Sequence, residues 1–129
     1  MPSIERPLSG DILLHDLQEE LDQTADAVIL ERSGRNARTL IKSGPLRVTL
    51  VVLAPGGEIS EHSADGPITI QPVEGSIRFT ALGQVHEIGP GEVLSAGPGV
   101  PHTVASNGGG AFLLTLCNPV PSREGEGAS

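Results

Sequence analysis

Side chains that could ligate a metal or move a proton are few in this chain. There are four histidines, His15, His62, His86 and His102, and one cysteine, Cys117. His62 stands in "PGGEISEHSADGPITIQPVEG" (Pro55–Gly75), after a glycine turn and before a strand-like run, where an imidazole looks like half of a metal site. His102 closes a second glycine- and proline-rich stretch, "GPGEVLSAGPGVPH" (Gly89–His102). His86, in "GQVHEIGPG", is expected to face outward from a strand. His15 falls off the apolar stripe of its segment and reads as a solvated surface histidine. Cys117 ends the apolar run "AFLLTLC" and reads as a buried, inert thiol. One cysteine rules out an internal disulfide framework.

Other chemistries leave no trace. The glycine pairs "GG" and "GPG" are not followed by the lysine and hydroxyl residue of a phosphate loop, so they read as turns and corners. No G-x-S-x-G elbow and no Cys/His nucleophile pair is present. A net charge of −8 opposes binding to a phosphate polyanion. Two Phe and no Tyr or Trp leave almost nothing to stack on bases, so nucleic acid is not an expected partner. The start, "MPSIERPLSGD", has no apolar signal core, and no run reaches the ~18 apolar residues of a membrane helix. These features imply a cytoplasmic protein with no membrane partner.

The elements that must position the histidines can be read from periodicity. The 129 residues suit one domain. Residues 1–36 read as an N-terminal arm with a helix at about 11–23, capped by Ser9 or Asp11. Leu13, Leu14, Leu17 and Leu21 form its apolar stripe. From residue 37 to 120, short β-type runs alternate with glycine and proline: "ARTLIK", "LRVTLVVL", "ITIQPV", "SIRFTA", "QVHEI", "EVLSA", "HTVAS" and "AFLLTLC". In "LRVTLVVL" the residues Leu46, Val48, Leu50 and Val52 share one face. "ALGQ" (Ala81–Gln84) reads as a hairpin turn. This pattern predicts an all-β sandwich or barrel. Residues 121–129 read as a polar, disordered tail.

Charge is uneven. Asp11 to Asp26 holds six acidic residues and no Lys or Arg, while Arg32, Arg35, Arg38, Lys42 and Arg47 follow. Two readings stay open: a solvated acidic face, or an acidic helix docked on the basic segment within the chain or across a dimer.

The two histidine stretches together resemble the paired motifs of the cupin superfamily. The resemblance covers about Leu46 to Cys117, and its second motif is the more specific. It implies an all-β cupin double-stranded β-helix, a jelly-roll barrel, behind the short N-terminal helix. The family's first motif carries two histidines as H-x-H, then a glutamate, and a glycine seven residues later. Its second motif carries the last histidine. Counting back from Gly75, the glutamate position is Ile68, the second-histidine position is Ala64 and the first is His62. Counting from Gly91, His102 takes the last histidine position, with Gly97 where the family has proline. Two of four metal-ligand positions are therefore matched.

The family's facing implies an interior lined by His62, Ala64, Ile68, Ile70, Phe79 and His102. That is a mainly apolar cavity with two polar handles. The imidazoles could hold a carboxylate or hydroxyl, or act as general acid and base. The implied function is binding of a small molecule of unknown identity, with no cofactor expected and at most weak divalent-metal binding. If a metal is held, His62 and His102 would hold it, with Asp65 as the candidate third ligand. Two alternatives stand beside this: a metal-dependent cupin enzyme of oxygenase or isomerase type, and a non-catalytic barrel that supports dimerisation. A homodimer is expected because the leucine stripe must be buried somewhere.

Overall fold

The computed structural model describes residues 7–118. The tail expected at 121–129, and residues 1–6 of the expected arm, lie outside the described residues.

Two short helices open the fold where one was expected. α1 spans Leu17–Thr24 and α2 spans Ala27–Ser33. Each begins at an aspartate. Asp16 accepts hydrogen bonds from the N–H groups of Gln18 and Glu19, and Asp26 from those of Val28 and Ile29. Asp16, rather than Ser9 or Asp11, is the cap, so residues 11–16 are not helical. Gly34, at φ 79°, takes the left-handed conformation that ends α2.

Among the described residues nine strands follow: β1 (Arg35–Ser43), β2 (Leu46–Leu53), β3 (Gly57–His62), β4 (Ile68–Gly75), β5 (Ile77–Ala81), β6 (Gln84–Ile88), β7 (Leu94–Ala96), β8 (His102–Ser106) and β9 (Gly110–Cys117). They form two antiparallel sheets, ordered β1-β2-β9-β4-β7 and β3-β8-β5-β6. The corner between β4 and β5 is Gly75. It has φ 73°, and a side chain there would run into the carbonyl of Gly109. Between β5 and β6 the turn is Leu82–Gly83, with φ 52° and 75°, which suits the twist of a tight hairpin.

The sheets face each other across an inner core. Val51, Leu53, Ile68, Ile70 and Phe112 enter it from one sheet; Ile77, Phe79 and Val104 enter it from the other. The helices cover the outer face of the five-stranded sheet, where Leu21 packs on Leu40, Leu50, Val52 and Ala111. For this reason Leu50 to Leu53 are all buried, on both faces of β2. The leucine stripe is divided. Leu17 and Leu21 pack on the sheet, whereas Leu14 is 94% exposed.

The acidic segment docks within the chain. Glu20 is 1% exposed and its Oε1 lies 2.8 Å from Nε of Arg38 on β1. His15 belongs to the same cluster, which corrects its reading as a solvated histidine. Its side chain is only 12% exposed, its Nδ1 lies 3.4 Å from Glu20 Oε2, and its Nε2 is buried without a hydrogen-bond partner among the described residues. It precedes α1, so the helical stripe says nothing of where it points. Cys117 is also corrected. It is exposed, because the alternation of β9 turns its last residue outward.

Candidate functional site

His62 ends β3 and His102 begins β8, and the two are register partners across the antiparallel pair. Directly opposed residues present their side chains to the same face. The register reaches this pairing through an irregularity. Ile59 pairs with Val104, so three steps along β3 match two along β8. Ile59 packs against the inner core. Strict alternation from Ile59 would turn Glu61 inward and His62 outward. One extra residue in β3 reverses that assignment.

The two rings lie with centroids 4.5 Å apart, at 61°. Phe79 of β5 stacks on the other side of His102, at 4.9 Å and 20°. His102 is 4% exposed and Phe79 2%, whereas His62 is open to solvent. Each imidazole is anchored by the backbone two residues before it. His62 Nδ1 lies 3.0 Å from the Ser60 carbonyl, and His102 Nδ1 lies 2.9 Å from that of Val100. A carbonyl only accepts, so Nδ1 carries the proton and the neutral ring leaves Nε2 as an acceptor. Neither Nε2 has a partner among the described residues.

A cavity of about 310 Å³ opens beside the pair. Ala64, Ile68, Leu114 and Leu116 wall it; Ser63, Asp65 and Asn118 complete it. Among its described lining residues, Asp65 alone carries a formal charge. The carbonyl of Ala64 accepts a hydrogen bond from the N–H of Gly99 at 2.8 Å, tying the loop after His62 to the loop before His102. Among the described residues, no three His, Cys, Asp or Glu side chains converge closely enough to hold a metal ion.

Of the residues singled out in the sequence, the structure brings His62, His102, Ala64, Ile68 and Asp65 to one cavity. Ile70 is placed elsewhere, 1% exposed within the packed core. Phe79 is not among the described lining residues and stacks on His102. Glu61 is directed to a separate hollow with Thr80 and Thr103. His86 is the register partner of Phe79, so it shares that residue's inner face rather than facing outward as expected; it is exposed there because it borders a larger hollow between β6 and β7. Leu114, Leu116 and Asn118 were not singled out. The alternation of Phe112, Leu114 and Leu116 in β9 was the available signal for the two leucines; Asn118 carried none.

Solved structures share this architecture. A cupin superfamily protein from Desulfitobacterium hafniense matches at TM-score 0.64 with 21% identity, over 66% of this chain and 78% of that one. A conserved protein of unknown function from Streptococcus pyogenes matches at 0.69 with 20% identity, over 94% and 100%. A salicylate 1,2-dioxygenase from Pseudaminobacter salicylatoxidans matches at 0.67 with 16% identity, over 77% of this chain and 33% of that one. No curated protein matches the chain significantly. The family model for the cupin domain matches residues 49–117, from β2 to the end of β9 and across both histidines, and so the chain belongs to the cupin family.

Proposed function

We propose that this cupin binds a small organic molecule between His62 and His102 without a tightly held metal. The observation that carries the reading is a pair of imidazoles whose Nε2 atoms have no partner among the described residues, at the wall of a largely apolar cavity. Pockets of this kind fix a ligand by a few polar groups and hold it by apolar contact.

The metal that the family motifs imply does not fit the residues present. Ala64 has no donor atom and Ile68 presents only carbon to the cavity. Two imidazoles remain, and a retained ion usually needs three or more protein ligands with an orienting second shell. Elemental analysis of untagged protein, purified without chelator, is expected to find well under one equivalent of transition metal per chain. Ala64→His combined with Ile68→Glu is expected to create tight binding. About one equivalent in the parent, lost on His62→Ala, would overturn the proposal. It would favour the metalloenzyme reading, with Asp65, which shares the cavity, as third ligand.

A further inference from the structure

We infer that the His62–His102 pocket selects a neutral, hydroxyl-bearing ring, of the phenol class, over a carboxylate of the same size. This rests on reading the pocket as a ligand site, and it goes further by naming what the pair can recognise.

The argument begins at the carbonyls of Ser60 and Val100. By holding the two Nδ1–H groups at 3.0 and 2.9 Å, they leave each neutral ring with a lone pair at Nε2 and no second proton to donate. Two acceptors cannot satisfy each other, and at 4.5 Å between centroids the rings are close enough to address one small group. The complement is a proton donor. A hydroxyl supplies one; a carboxylate brings only further acceptors.

Charge points the same way. Among the described residues no Lys or Arg lines the cavity, and Asp65 does. An anion would sit beside that carboxylate in a chain of net charge −8, with no cation among the described lining residues to offset its desolvation. The remaining walls, Ile68, Leu114 and Leu116, offer no hydrogen bond. Those walls suit the face of an apolar ring, and about 310 Å³ admits one ring with its substituents.

The test compares three probes that share one ring: phenol, benzoate and toluene. The full chain, labelled with ¹⁵N, is kept near pH 8.5, where imidazole is generally neutral. Before any addition, the histidine ¹⁵N spectrum is expected to show the Nδ1–H form for both His62 and His102. Phenol is then expected to bind about tenfold tighter than either benzoate or toluene, the ratio that one hydrogen bond supplies, and to shift the Nε2 signal of the ring that accepts its proton. Nε2–H tautomers overturn the inference at once. Benzoate binding tightest, or toluene equalling phenol, overturns the inference while leaving the pocket as a ligand site. No saturable binding of any probe removes the inference and the ligand-site reading together.

Discussion

Phe79 and His62 hold opposite sides of the His102 ring, and the Val100 carbonyl holds its edge, so this imidazole is fixed from three directions. His62 has one ring neighbour and one carbonyl, and is open to solvent. The pair therefore joins a rigid acceptor to a more adjustable one. Elsewhere, ionisation is tuned at the surface. The Glu87 carboxyl is held below its ordinary value chiefly by the hydrogen bond that Arg78 Nε donates at 2.6 Å, and next by Ser76 Oγ at 3.0 Å. A depressed carboxylate contributes stability that is whole above its ordinary pKa and is lost as pH falls through the depressed one. Both groups are substantially exposed, so this contribution is small. The titration of Glu87, followed by carboxyl NMR, is expected to have its midpoint below that of an ordinary glutamate, and Arg78→Ala should raise it. A midpoint that Arg78→Ala leaves in place would contradict this assignment.

At the scale of elements, α1 is held to the five-stranded sheet by apolar and polar contacts. Leu17 and Leu21 supply the apolar ones; Glu20, facing Arg38, and the Thr24 carbonyl, which accepts from Asn36 Nδ2 at 2.9 Å, supply polar ones. Removing one partner of a buried carboxylate destabilises a fold, but Arg38 is itself 37% exposed, which lessens the loss. Arg38→Ala is expected to lower stability by about 2 kcal/mol, read from urea unfolding. Glu20→Gln, which removes the charge and keeps hydrogen-bonding capacity, should have the smaller effect. Equal stability of Arg38→Ala and the parent would mean that the pair contributes nothing to docking.

For the molecule as a whole, the arm changes what a dimer would be for. Leu17 and Leu21 are already packed within their own chain, so they no longer call for a partner. Ile12, at 88% exposure, Leu14, at 94%, and Val28, at 61%, remain uncovered. The homodimer proposal now rests on these residues. Ile12→Ser with Leu14→Ser is expected to convert a dimer to a monomer by light scattering while leaving the circular dichroism spectrum unchanged. A parent chain that is monomeric at every concentration would remove the proposal. Deleting residues 1–24 is a poorer test, because it would strip Leu21 from Leu40, Leu50 and Val52 and unsettle the barrel itself. No helix among the described residues is long and apolar enough to cross a membrane.

The amino-acid sequence by itself determined most of the architecture. Strand runs punctuated by glycine and proline are local signals, and the turn at Leu82–Gly83 and the two histidine motifs are short-range patterns. His62 and His102 could be singled out because each sits in such a pattern. What local signals could not carry was decided by tertiary contact. His15 meets Glu20, which pairs in turn with Arg38 of β1, and no periodicity records that meeting. Helix α1 begins at Asp16 because its leucines dock on a sheet built from residues that come later in the chain. Above all, whether His62 faces the cavity depended on one extra residue in β3 relative to β8. The period of a strand is two, so a one-residue shift reverses every face, and only the pairing of distant strands decides where that shift falls.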